Sequence, residues 1–159
     1  MLLLLVGPAQ AADTKATTQR KGSGLPIPRF ATLKSDEVNV RTGPGSRYPI
    51  DWVFKRKGMP VEIVAEYENF RKIRDWQGAS GWVYQGLLTG KRSFIIPSKV
   101  ANLYKTPAAS AEVIAKLEPE VMGEIRSCQG DWCRVKVSSV SGWLQRTELW
   151  GVYKSEPVN

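Results

Sequence analysis

The sequence predicts an all-β protein made of two tandem copies of a small barrel of about five strands each. Three observations lead there. The opening Val38-Asn39-Val40-Arg41-Thr42-Gly43-Pro44 returns as Ala101-Asn102-Leu103-Tyr104-Lys105-Thr106-Pro107. Three later marks follow in the same order: Glu62-Ile63 and Glu124-Ile125, Asn69-Phe70-Arg71 and Asp131-Trp132-Cys133, Ser80-Gly81-Trp82-Val83 and Ser141-Gly142-Trp143-Leu144. Their offsets drift from 63 to 62 to 61, as loop deletions would produce, so the repeating unit is about 60 residues, a workable size for an independent small domain. Within each copy, short β-rich runs are separated by closely spaced turn residues.

From the start of the chain, residues 1–12 carry no charge, open Leu2-Leu3-Leu4-Leu5-Val6 and end Ala9-Gln10-Ala11-Ala12. That is the apolar region and small-residue cleavage site of a secretory signal peptide, here partial because a basic start is missing. No other stretch approaches the ~18 apolar residues of a membrane span, so the mature chain is expected to be exported and to carry no transmembrane segment. Residues 13–34 read as a flexible basic tether. Its first half has almost nothing to bury. Its second half is the Pro-rich Leu25-Pro26-Ile27-Pro28-Arg29-Phe30, extended by its prolines and expected to lie along the first domain, with a role as ligand for another protein as the alternative.

The first domain spans residues 35–90. Glu37–Arg41 is a strand, and 42–51 a long loop broken by Gly43, Pro44, Gly45 and Pro49. Trp52–Phe54 is a short strand; Pro60–Tyr67 is the next, with Val61, Ile63 and Ala65 on one face. Glu68-Asn69 is a hairpin turn, and Phe70–Arg74 and Gly81–Tyr84 complete the unit. After a short joint, the second domain spans 93–153 with its later strands at Glu112–Lys116, Val121–Cys128, Cys133–Val137 and Gly142–Leu144, leaving 154–159 as a tail.

Val-Asn-Val-Arg-Thr-Gly-Pro-Gly from Val38, Asn-Phe-Arg-Lys-Ile-Arg from Asn69 and Gly-Trp-Val at Gly81 resemble the bacterial SH3 (SH3b) domain, closely over 35–90 and more loosely over 100–150. The whole layout resembles exported two-domain bacterial SH3-like proteins. The resemblance implies a five-stranded SH3-like barrel and, from relatives, binding to peptidoglycan, its peptide bridges or proteins. Eukaryotic SH3 domains bind Pro-rich peptides through several aromatics in the first long loop; that loop here has only Tyr48, so this activity is not carried over.

The formal charge is +8 and unevenly placed. Residues 13–92 hold 15 Lys and Arg against 8 Asp and Glu, whereas residues 93–159 hold 8 against 7. An anionic partner outside the membrane fits that balance: peptidoglycan, another envelope component, or a periplasmic protein. Nucleic acid is not expected to meet an exported chain.

Cys128-Gln129-Gly130-Asp131-Trp132-Cys133 places two thiols on either side of a hairpin, which in an oxidising compartment implies a disulfide. With no His in the chain and only these two thiols, neither a metal site nor a thiol nucleophile is expected. The first domain carries Glu66 and Arg71 at the matching positions, where an ion pair is expected.

Strand parity then points to a candidate site. With Cys133, Val135 and Val137 turned to the core, Trp132, Arg134 and Lys136 share the outer face; the same count puts Phe70, Lys72 and Arg74 on the outer face of the first domain. Such a set can stack on a sugar or peptide and hold a carboxylate, or can merely cover the barrel's end with its cations solvated. Trp82 and Trp143 are expected to fill space in or near the core. Trp76, in the loop Asp75–Ser80, is the tryptophan expected to be most exposed, as a binding anchor or packed on the second domain. No cofactor and no catalysis are expected: general-base histidine, phosphate loop and nucleophile elbow are all missing. The function these features predict is wall or envelope binding, with a protein-interaction or scaffold role as the alternative.

Overall fold

The computed structural model describes residues 22–159. The signal peptide expected at 1–12 and the first half of the tether, 13–21, lie outside the described residues. The chain forms two antiparallel sheets and, among the described residues, no α-helix, only the 3₁₀ turns Gln85–Leu87 and Arg146–Glu148.

The first sheet contains β1 (Arg29–Leu33), β2 (Val38–Arg41), β3 (Ile50–Phe54), β4 (Pro60–Tyr67), β5 (Phe70–Arg74), β6 (Ser80–Tyr84) and β7 (Leu88–Thr89), in the order β3-β2-β6-β5-β4-β1-β7. The second contains β8 (Ser93–Ile95), β9 (Ala101–Tyr104), β10 (Val113–Leu117), β11 (Met122–Gln129), β12 (Trp132–Val137) and β13 (Val140–Gln145), in the order β10-β9-β13-β12-β11-β8. The fold is all-β and SH3-like, with seven and six strands where about five were expected, and each sheet keeps two edges. Each sheet wraps its own core. Val38, Val40, Val61, Ile63, Ile73 and Val83 fill the first. Leu103, Ile125, Cys128, Cys133, Val135 and Leu144 fill the second.

The strands beyond five come from the ends of each unit. Residues 29–33 are not tether but β1, paired with β4 from Arg29↔Ile63 to Thr32↔Pro60 and with β7 at Leu33↔Leu88. Its alternation explains this: Ala31 and Leu33 enter the first core, while Phe30 and Thr32 are covered by the second domain. Phe30 lies 4.9 Å from Trp150 and 4.6 Å from Tyr153, ring to ring. The Thr32 hydroxyl donates to the Lys91 carbonyl and lies 2.6 Å from the Ser93 hydroxyl. The tail is likewise built in. Val158 is buried in the second core and bridges Cys128 through two backbone hydrogen bonds, while Arg146 holds the Tyr153 and Glu156 carbonyls.

A β-bulge decides the facing of the long hairpins. In β4–β5 the register steps from Ile63↔Ile73 to Ala65↔Lys72 and then Glu66↔Arg71. The extra residue reverses the alternation, so Ala65 opposes the outward Lys72 instead of sharing the core face of Ile63. In β11–β12 the same step, from Ile125↔Val135 to Ser127↔Arg134, brings Cys128 opposite Cys133. Their disulfide is closed, with the Cα atoms 4.1 Å apart, and the expected ion pair stands at the matching place, Arg71 Nε 3.3 Å from Glu66 Oε1. Cutting the cross-link by replacing both cysteines with alanine is expected to cost roughly 2 kcal/mol, the chain-entropy value for so short a loop. Thiol titration of the unreduced, unfolded chain is expected to find no free thiol; a count of two would contradict the bond.

Candidate functional site: the outer faces of the two sheets

The candidate residues sit on β5 and β12, central strands whose inward residues are locked in the cores. On β12, Cys133 and Val135 are buried, so Trp132, Arg134 and Lys136 face outward. On β5, Arg71 and Ile73 are buried, and Phe70, Lys72 and Arg74 face outward. The predicted parity holds on both strands.

The neighbouring strands add residues whose place the sequence reading missed. Trp82 opposes Lys72 on β5 and Arg41 on β2; Trp143 opposes Arg134 on β12 and Tyr104 on β9. Each lies beside the opening strand of its unit, as expected, but on the outer face and outside both cores. The signal was available: Gly81 and Val83 are buried, as are Gly142 and Leu144, which leaves the intervening tryptophan to the other side. The glycine is needed for packing. A Cβ at Gly142 would lie 2.7 Å from Leu103 Cγ and 2.9 Å from the Tyr104 carbonyl oxygen. Trp76 takes a different place. It is half-buried and packs on the first core, its turn fastened by Asp75, whose carboxylate accepts from the amides of Gln77 and Ala79. It is not an exposed anchor and does not join the aromatic-basic face.

The first face thus carries Phe70 edge-on to Tyr84 at 6.0 Å, half-buried Lys72 beside Trp82, and Arg74, whose guanidinium is 2.7 Å from the Glu62 carboxylate. The second carries Trp132 edge-on to Tyr104 at 5.4 Å, exposed Arg134 beside Trp143, and half-buried Lys136 between Glu124 and Ser141. Aromatic, cation, cation, tryptophan and glutamate therefore recur in one register on both faces.

Between the domains lies a shallow cleft of about 670 Å³, lined in part by Pro26, Pro28, Phe30, Arg92 and Tyr153. Its cations are engaged. Arg29 and Arg71 both reach Glu66, and Arg92 donates to Glu156 and to the Gly151 carbonyl. Glu66 gathers two of the cations that line the cleft, Arg29 and Arg71. Burial pushes its carboxyl up, but the Ser23 hydroxyl and amide, Arg29 and Arg71 outweigh that and hold it at about 2. On the opposite wall, burial, with Glu62 and Glu156 adding to it, pushes the Tyr153 hydroxyl up to about 12.

A model of the bacterial SH3 domain matches residues 34–90 and again 98–151. A putative N-acetylmuramoyl-L-alanine amidase, YrvJ, of Bacillus subtilis (strain 168) is 27% identical in an alignment of 125 residues that covers 72% of this chain and 24% of that protein. The chain therefore spans about a quarter of that curated relative's length. Among solved structures, NlpC2 of Trichomonas vaginalis aligns with 14% identity over 79% of this chain and 48% of its own, at a TM-score of 0.36. An NlpC/P60 family protein of Bacillus cereus ATCC 10987 aligns with 15% identity over 79% and 57%, at 0.35.

Proposed function

The chain belongs to the bacterial SH3 domain family, and on that premise we propose that it is a non-catalytic exported module that binds the bacterial cell wall, with residues 35–90 and 93–153 as its two domains. The observation that carries this reading is the recurrence of one aromatic-cation set in register on both outer faces, where packing of the core does not require it. Indole and phenyl faces stack on sugar and peptide surfaces, and a neighbouring guanidinium or ammonium holds a carboxylate. Peptidoglycan offers both.

Three further features support the reading. The relative in Bacillus subtilis is named for N-acetylmuramoyl-L-alanine, a unit of peptidoglycan. The Cys128–Cys133 disulfide suits an oxidising compartment, as does the signal peptide read from residues 1–12. The chain has no histidine to serve as a general base.

A protein-interaction or scaffold role is the second reading, favoured by the cleft with its prolines and aromatic wall. A pull-down of residues 13–159 with purified, protein-free peptidoglycan separates the two. Retention is expected at low salt and at ~0.15 M, where the Debye length has fallen to about 8 Å. No retention, or loss as soon as salt is added, would overturn wall binding; recovery of retention on envelopes still carrying their proteins would then place the partner among proteins.

A further inference from the structure

Although the two outer faces carry the same residue types, they differ in what those residues are free to do. In the first domain Glu62 is buried and holds Arg74 at 2.7 Å. This pair lies beside the domain joint: Glu62 opposes Phe30 across β1 and β4, and the Phe30 ring packs on Trp150 and Tyr153. Arg41 is also engaged, donating to the carbonyls of Ser46 and Tyr48 and so fastening the loop after β2. Of the cations on that face, Lys72 alone has no acidic or carbonyl partner among the described residues.

The second domain differs at two of the three corresponding places. Glu124 is exposed and paired with Arg126 at 2.7 Å, on its own strand, rather than with Lys136. Arg134 and Lys136 therefore stand two residues apart on one strand face, without an acidic partner among the described residues, at a separation of about 6–7 Å along the strand. The position of Arg41 is taken by Tyr104, whose ring lies against Trp132. The result is two adjacent cations in no ion pair among the described residues, beside Tyr104, Trp132 and Trp143.

We propose that the repeats divide the work: the first domain's outer face is tied up beside the domain joint, where Glu62 engages Arg74 and opposes Phe30, and the second domain's outer face is the recognition site for a muramyl peptide bearing two carboxylates. The inference rests on the wall-binding reading and adds which repeat binds and through what chemistry. Charge complementarity selects the occupant. Two cations a strand's width of two residues apart match a peptide with two carboxylates, and the three rings supply a surface for the attached sugar. Net charge points the other way, since the second domain is nearly neutral; recognition depends on the cations left unpaired at one place, not on the sum over a surface.

The test uses the chain from residue 13 with its disulfide intact and N-acetylmuramyl-L-alanyl-D-glutamate as the probe. The tryptophan indole N–H resonances, assigned by single Trp→Phe replacements, report where it binds. Saturable shifts are expected at Trp132 and Trp143 and not at Trp82. Converting both carboxylates of the probe to amides is expected to weaken binding at least tenfold, a comparison that needs no variant. Arg134→Gln with Lys136→Gln is expected to do the same, and Lys57→Gln, in the exposed turn between β3 and β4 and outside both aromatic-cation sets, to change affinity less than twofold. Shifts confined to Trp82, an equal loss in Lys57→Gln, or indifference to amidation would overturn the proposal. If the probe shifts neither Trp132 nor Trp143 while whole peptidoglycan still retains the chain, this assignment fails and wall binding stands; if both are negative, both fall.

Discussion

Replacing Glu66 with alanine is expected to cost about 3–5 kcal/mol, the range for breaking a buried ion pair while leaving its partner behind. The Glu66 side chain is 5% exposed and Arg71 7%, so neither charge has water to fall back on. The same carboxylate receives two hydrogen bonds of 2.6 Å from Ser23 and the Arg29 guanidinium at 2.7 Å. Its loss therefore also frees the segment before β1. The pH dependence has a definite sign. The folded carboxyl titrates at about 2 against an ordinary 4.5, so its contribution is complete above pH 4.5 and disappears as pH falls from there towards 2. Denaturant midpoints of wild type and Glu66→Ala at pH 6 and pH 2 are expected to differ widely at the first and to converge at the second. A gap that persists at pH 2 would show that the charge is not what matters.

Phe30→Ala is expected to separate the two domains thermodynamically. Phe30 belongs to β1 of the first sheet and is 8% exposed, yet its ring packs on Trp150 and Tyr153 of the second domain with the Arg92 guanidinium 5.7 Å away. Truncating a buried phenylalanine costs about 3–5 kcal/mol, and here the loss falls on contacts that join the domains. Other contacts crossing the joint include Thr32 with Ser93, Arg56 with the Glu120 carbonyl, and Met122 against the first core. Calorimetry of the wild type is expected to show one transition, and of Phe30→Ala two. Two transitions in the wild type, or one unshifted transition in the variant, would refute the coupling.

Much of the candidate site was legible because strand parity is local. Once Val135 and Ile73 are assigned to the core, Trp132, Arg134 and Lys136, and Phe70, Lys72 and Arg74, must face outward, whatever the rest of the chain does. Legible for the same reason were the hairpin turn at Glu68-Asn69 and the facing of Cys128 with Cys133 and of Glu66 with Arg71, since two residues equidistant from a tight turn oppose each other. Where parity was followed across a bulge, as for Ala65, it failed, because a bulge is set by how two strands meet. Trp76 was misplaced by treating a loop position as exposure, although a loop folded back over a small barrel offers its large side chain an apolar surface.

Local periodicity and turn chemistry sufficed for the two units, their common fold, the cross-link and the outward cation-aromatic sets, since each follows from residues within one hairpin or from the internal repeat. The third dimension was needed for everything that depends on residues far apart in the chain. Residues 29–33 are a strand because one face meets its own core and the other meets second-domain residues from about 60 to about 120 positions later in sequence. Arg74 and Lys136 look equivalent in the sequence and differ in the fold, because Glu62 is buried opposite Phe30 at the joint between the domains while Glu124 lies exposed with another partner. Which cation remains free is decided by which carboxylate it meets, and that meeting is a property of packing.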